Sequence, residues 1–480
     1  MSPGGAIYTF GRFELDGRTR QLRRDGERVA LSDRYLSVLL HLAAHAGSVV
    51  SKDDLVTAGW GDTAVGDNSL EQAISALRRT LGTSADDREY VETVPRQGYR
   101  LTAPVTRALP QATAADIDAL LAPHRALLDG RAALETLERD QIRRAREVFA
   151  HVVTLTPDAA PAHVGLANAC VLQFEMTRAD DTPDLEALKL AAHHAYEACR
   201  LDTEHAESWS ILSFVLDRAG TPTDAIAAAR RAIALEPDNW RHQFRLASIA
   251  WGEERLRAAR RTLALLPGFA LGHWLAASVL VARRMFDQAL RDLDAGITGS
   301  GHDTQARFSG VALHWLRGLI HLANGDASRA MADFEQELAN EARGHLYARE
   351  CCANTWYAIG ALHLRGGRHA EARDAFDRAL QRLPKHPLAR LGRAIADGGQ
   401  LPPPTSPPPV PRPMEELFCI AAGHVFAGSP AAAGQLVDQW LSVIPPSNAG
   451  WLLPVEPFLN VHASPASWDA ALTRLRKRAM

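Results

Sequence analysis

Residues 70–82, LEQAISALRRTLG, followed by residues 90–101, YVETVPRQGYRL, decide how the first part of this chain folds. In the first stretch Leu70, Ile74, Leu77 and Leu81 recur at helical spacing, which makes one stripe apolar, and Gly82 stops the helix. With that stripe packed inward, Gln72, Ser75, Ala76 and Arg79 point away from the core. Asn68, Glu71 and Arg78 lie on the flanks, and the helix starts near Asn68 or Ser69. The second stretch reads as two strands around Gly98, which allows a tight return, with Arg96 at the tip.

The segments before this helix complete the unit. Residues 7–16 (IYTFGRFELD) and 20–32 (RQLRRDGERVALS) alternate in polarity, with turn signals at Asp16-Gly17 and Asp25-Gly26, and read as short antiparallel strands. From Asp33 the period becomes helical, with Tyr35, Val38, Leu39 and Leu42 on one stripe ending by Gly47. Ser51 caps a second helix whose first turn is acidic (Asp53, Asp54); it carries Leu55 and Val56 and ends at Gly59. Strands, three helices and a strand pair make an α+β winged helix-turn-helix over residues 1–105.

The outward strip of the third helix has the chemistry a major groove accepts. Glutamine can bond adenine bidentately, arginine guanine or phosphate, and serine sugar-phosphate or a base edge. In the hairpin, Arg96 can enter a minor groove, and Tyr99 packs at the base with its hydroxyl left for phosphate. The formal net charge of the chain is -3, so attraction to DNA rests on local placement. Arg78, Arg79, Arg96 and Arg100 converge on the third helix and hairpin, while Asp16, Asp25, Asp53, Asp54, Asp86 and Asp87 fall on turns or the second helix start. Modest, salt-sensitive affinity follows, which paired or repeated sites would raise.

Residues 7–105, through LEQAISALRRTLG and the hairpin ending in Gly-Tyr-Arg, resemble the effector domain of OmpR/PhoB-type transcriptional regulators, in the CadC/ToxR/HilA-like subgroup that carries it at the N-terminus. The resemblance implies a DNA-binding regulator with residues 69–81 as recognition helix and 90–101 as wing. It also implies that Gln72 and Ala76 reach bases and that Ser75 and Arg78 hold phosphate. Asn68, Ser69, Arg79, Thr93, Arg96, Tyr99 and Arg100 complete the expected DNA-binding set. The chain departs from the family at Ala76, where arginine is frequent, and at Pro95, where the wing arginine often stands.

From about Ala119 an internal repeat takes over. Segment 206–239 has Trp209, Leu212, Ser213, Gly220, Ala225, Ala232 and Pro237; segment 353–386 answers with Trp356, Gly360, Gly367, Ala372, Phe376, Ala379 and Pro384. This is the tetratricopeptide pattern of paired antiparallel helices. Small residues (Ser213, Gly360, Ala225, Ala372) sit where helices approach, a bulky plug (Trp209, Phe376) sits between them, and proline marks the stop of the second helix. Weaker copies fit 126–159, 160–205, 240–269, 270–303 and 311–344. Phe244, Trp274, Trp315 and Tyr357 fall at one repeat position facing the concavity, either as an aromatic column for a ligand or partner or as packing between irregular copies.

The expected architecture is therefore mainly α: the winged helix, a linker at 106–118, an α-solenoid of tetratricopeptide-like repeats at 119–400, a stiff proline-rich linker at 401–413, and a degenerate repeat with a capping helix at 414–480. Five irregularly spaced cysteines with no CxxC pair read as reduced thiols, and no uncharged stretch is apolar enough for a membrane span. No phosphate-binding GxxxxGK[ST], GxSxG elbow or HExxH occurs, and adjacent His193 and His194 diverge too far to chelate. The expectation is a cytoplasmic, non-enzymatic regulator without cofactor or metal, partnered by double-stranded DNA. Its repeats bind a protein, a second copy of the chain or a small-molecule effector. A scaffold whose winged helix mainly contacts protein is the alternative.

Overall fold

The computed structural model describes residues 6–60, 67–84, 86–108, 114–299, 310–398 and 414–480, which divide into two compact units meeting at Leu120 and Leu121. In the first unit β1 (Ile7–Phe10), β2 (Phe13–Asp16), β3 (Gln21–Arg24) and β4 (Glu27–Val29) form an antiparallel meander. Alternation sends Tyr8, Phe10, Phe13, Leu15 and Leu22 into the core. The Asp16 carboxylate accepts from the Arg18 and Thr19 amides, and Asp25 and Gly26 both take positive φ, as a two-residue hairpin turn requires.

Helices α1 (Asp33–Ala44), α2 (Lys52–Trp60) and α3 (Asp67–Leu81) then pack together, and β5 (Val91–Val94) pairs antiparallel with β6 (Gly98–Leu101). Val38, Leu39 and Leu42 of α1 meet Leu70, Ile74, Leu77 and Leu81 of α3 in one core. Ser32 caps α1 through the Tyr35 amide; Ser51 caps α2 by accepting from the Asp54 amide and donating to its carboxylate. The expected linker needs correction: its first residues form β7 (Thr106–Ala108), which pairs with β1, because the polar stretch offers a backbone ladder to an open sheet edge. The sheet order is β4-β3-β2-β1-β7, and α4 (Ala114–Glu135) begins before the expected linker ends.

The second unit is a chain of helix pairs: α5 (Arg139–Leu155), α6 (Ala160–Thr177), α7 (Leu185–Leu201), α8 (Ala206–Arg218), α9 (Pro222–Leu235), α10 (Trp240–Ile249), α11 (Gly252–Leu265), α12 (Ala270–Ala282), α13 (Phe286–Gly299), α14 (Leu313–Ala323), α15 (Ala327–Leu338), α16 (Ala348–Arg365), α17 (His369–Arg382) and α18 (Pro387–Ala396). Each packs on the next, and α6, α8, α10 and α12, then α14, α16 and α18, also touch one another and form the inner row. The plug is phenylalanine against glycine. Phe334 lies over Gly318, and Phe376 lies between Gly360 and Gly392, where an added Cβ would sit 2.5 and 2.4 Å from the ring. Trp209, expected as a plug, is instead half-buried and donates its Nε1 to the Thr203 carbonyl.

The proline-rich segment 401–413 lies outside the described residues. Beyond it α19 (Met414–Phe426), α20 (Pro430–Val443) and α21 (Pro465–Arg478) pack in succession, α21 approaching α20 closely at Gly434. The end of the chain does more than cap the solenoid. Residues 451–459 lie against the inner row, with Trp451 edge-on to Trp274 and Phe458 edge-on to Tyr357, and Arg283, just past the end of α12, donates to the Ala479 carbonyl at 2.6 and 2.9 Å.

Within this segment the buried Glu456 accepts hydrogen bonds from the Tyr357 hydroxyl and the Phe458 amide. Burial outweighs those bonds and pushes its carboxyl up to about 7. A carboxyl raised in the folded state keeps its proton there after the unfolded chain has released it. Stability is therefore full below the ordinary carboxylate range and falls as pH rises to about 7. The loss is about 3 kcal/mol once complete. Glu456→Gln should remove this component, so urea unfolding of the variant at pH 5 and pH 8 should show a smaller pH-dependent loss than the parent; equal losses would contradict it.

Candidate nucleic-acid interface

The apolar stripe of α3 is fully seated, which leaves Gln72, Ser75 and Arg79 exposed on its opposite face and Ala76 partly covered beside them. Ser69 is also partly covered, while the Asn68 side chain lies outside the described residues. Glu71, a carboxylate beside this exposed strip, stands 3.8 Å from Lys52 at the start of α2. The C-terminal end of α3 is fastened to the meander, where Arg24 donates to the Thr80 carbonyl while stacking 5.0 Å over Phe13.

Arg78 differs from expectation. Its Nε donates to the Val91 carbonyl at 2.8 Å, a terminal nitrogen donates to Thr93 Oγ1 at 2.8 Å, and Glu89 pairs with it at 2.9 Å. It is thus a brace between α3 and β5, with its donors turned inward instead of held ready for phosphate, and Thr93 is its partner. Arg100 is likewise paired across the hairpin with Glu92 at 2.7 Å. Tyr99, expected to pack at the hairpin base with its hydroxyl left for phosphate, is 5% exposed and packed in the core, and its backbone forms a two-way bridge with Val50. Among the described residues, Arg79 and Arg96 are the members of the arginine set that make no hydrogen bond or ion pair.

Arg96 is held at the hairpin tip with φ +64°, a left-handed conformation that turns the chain back toward Gly98. Gly98 itself has φ +146°, and a Cβ there would lie 1.9 Å from the Val50 carbonyl oxygen. That close approach lets the Tyr99 amide donate to Val50 and the Val50 amide donate back, at 3.0 and 2.8 Å. The hairpin is therefore docked on the residue just before the α2 cap. Val50, Arg24 and Glu89 escaped the sequence reading: a bridge or brace between remote segments leaves no periodic trace. The opposite signs of Lys52 and Glu71 were the one available hint.

In the repeat unit the four aromatics do not form one open column. Phe244 stacks edge-on with Phe269 at 4.9 Å, and Trp274 is taken by Trp451 at 5.7 Å. Trp315 and Tyr357 are 8% and 5% exposed, and between them and residues 448–457 a cavity of about 450 Å3 remains. The chain's own C-terminal segment covers the expected surface. Among the described residues no group of three or more His, Cys, Asp or Glu is placed to hold a metal ion, and no helix is long and apolar enough to cross a membrane.

Residues 26–101 match the family described as transcriptional regulatory protein, C terminal, and residues 215–268 and 353–396 match tetratricopeptide repeat families. The chain is similar to the transcriptional activator CadC of Escherichia coli, 36% identical over 100 residues that make 21% of this chain and 20% of the relative. It is similar to the transcriptional regulator HilA of Salmonella typhimurium, 40% identical over 98 residues, 20% of this chain and 17% of the relative. The solved DNA-binding domain of E. coli CadC aligns at 31% identity and TM-score 0.20, covering 21% of this chain and 96% of that one. The chain thus spans about a fifth of the length of these curated relatives. Its N-terminal unit holds an OmpR/PhoB-type winged-helix domain homologous to theirs, and its second unit holds tetratricopeptide repeats.

Proposed function

We propose, from an OmpR/PhoB-type winged helix joined in one chain to a tetratricopeptide solenoid, that this protein is a DNA-binding transcription regulator whose occupancy is governed by its repeats. The observation that carries the reading is the pairing of one exposed polar strip on α3, Gln72, Ser75 and Arg79, with an unengaged arginine at the hairpin tip, Arg96. Gln72 and Arg79 read base edges in the major groove, Ser75 bonds the backbone, and Arg96 reaches the minor groove or phosphate. Arg78, Arg100 and Tyr99 position these groups without touching DNA. The reading places the protein in the cytoplasm with its DNA, assigns it no catalytic step, and gives the repeats a protein partner, a second copy or a small effector.

Titration of the full chain with random and selected fluorescent duplexes tests this. The selected duplex should bind at least tenfold more tightly, and Arg79→Ala with Arg96→Ala should weaken it by at least about tenfold and lower the salt dependence by roughly two counterions. Binding equally weak to every sequence and unchanged in the double variant would leave the protein-contact scaffold as the better reading.

A further inference from the structure

The repeat unit holds a partly open cavity of about 460 Å3 between α4, the inner helices α6, α8 and α10, and the turn at His345–Tyr347. That volume suits a small organic molecule. Its walls are largely apolar, with Leu134, Leu172, Ile211, Phe214, Phe244 and Phe269 among the lining residues. The turn reaches the cavity because His345 bridges to Glu138, and the Leu346 amide donates to the Leu137 carbonyl at 2.7 Å, joining the start of the solenoid to the turn before α16.

Four arginines line this space, and three are engaged. Arg131 pairs with Glu207, Arg241 with Glu135, and Arg218 with Glu175 at 2.7 Å and with Asp217. Arg245 is the exception among the described residues. Its guanidinium lies 4.0 Å from the centre of the Phe214 ring, its Nε is buried without an acceptor, and the nearby carboxylates Asp217 and Glu175, which favour its charge, are paired with Arg218 instead of with it. Stacking on a ring orients a guanidinium without using its N–H donors, so they stay available. Burial brings Arg245 down only to about 10, which keeps it a cation at neutral pH.

His345 adds a second unused donor. The Tyr347 amide donates to His345 Nδ1 at 3.2 Å, which places the ring proton on Nε2. That Nε2 is buried without a partner on a residue lining the same cavity, and burial holds the ring neutral by pulling it down to about 4. Buried donors left unpaired are costly, and two of them on one apolar cavity are an arrangement that a ligand acceptor would complete.

We propose that this cavity is a binding site for a small organic carboxylate with an apolar body, its carboxylate bonded by Arg245 and His345 and its body held by the wall between Leu134 and Phe269. The charge-assisted bond to Arg245 selects the acid, and the apolar wall selects an apolar tail over a bare ion. The site identifies the small-effector role within the reading above, but the binding measured does not require DNA. Its failure would therefore leave DNA recognition standing, and the reverse.

The test uses the full chain, calorimetry and the fluorescence of Trp240, which lines the cavity. The probes are straight-chain monocarboxylates of six to ten carbons, the alcohols of equal length, and inorganic phosphate. The best acid should bind at least tenfold more tightly than its alcohol and than phosphate. Arg245→Gln should weaken the acid at least tenfold and leave the alcohol unchanged. Acid and alcohol binding alike, phosphate binding as well as the acid, or no acid binding at all would each overturn the proposal. Undiminished acid binding by a folded Arg245→Gln chain would do so too. Should that variant fail to fold, the acid-to-alcohol ratio of the parent chain decides.

Discussion

Gly98→Ala should weaken duplex binding by at least about tenfold while the repeat unit melts as before. The substitution is small, but the added Cβ would lie 1.9 Å from the Val50 carbonyl oxygen on a backbone at φ +146°. Relief requires the hairpin to lift from Val50, which breaks the two-way bridge at Tyr99. The strained conformation and the two lost backbone bonds together cost about 2–4 kcal/mol. Arg96 then loses its fixed place beside α3. The measurement is hydrogen exchange at the Val50 and Tyr99 amides alongside duplex titration. Both amides should lose protection, and affinity should fall by at least about tenfold. Intact protection with intact affinity would show that the close approach at Gly98 is dispensable.

Phe376→Ala should be the most damaging single change in the repeats. The ring is fully buried between Gly360 and Gly392, and Tyr357 and Phe458 lie 6.3 and 6.0 Å from it. Two glycines have no side chains with which to fill the space, so the cavity collapses poorly and the cost should reach about 3–5 kcal/mol. The loss extends to the C-terminal segment, because Phe458 and the Tyr357–Glu456 bond rest on the same cluster. Urea unfolding should show the loss, and limited proteolysis should cut residues 446–463 first. A variant that unfolds with unchanged midpoint, or is cut elsewhere first, contradicts this account.

What could be read in advance was periodic or local. The stripe from Leu70 to Leu81 repeats every turn, Ser51 and Asp54 mark a helix start three residues apart, and Gly360 and Phe376 recur at fixed repeat positions. The outward strip of α3 followed from the same arithmetic. β7 was missed because three residues are too few to show alternation, and its pairing with β1 is decided a hundred residues away. The brace made by Arg78 was hidden for a related reason: nothing local distinguishes an arginine aimed at phosphate from one that also reaches the Val91 carbonyl. The cover over Tyr357 left no trace in the repeat pattern, since Glu456 meets Tyr357 across 99 positions of chain.

That cover alters how the concave face can be approached. Residues 451–459 belong to the same polypeptide as the helices they lie on, and a tethered occupant acts at an effective concentration of roughly millimolar. An outside peptide competing for the Trp274–Tyr357 stretch meets this standing competitor whatever its own dose. Its apparent affinity is reduced by the fraction of time the face stands open. A partner could capture that stretch only by first finding a foothold elsewhere on the solenoid, so that its own local concentration rises to match.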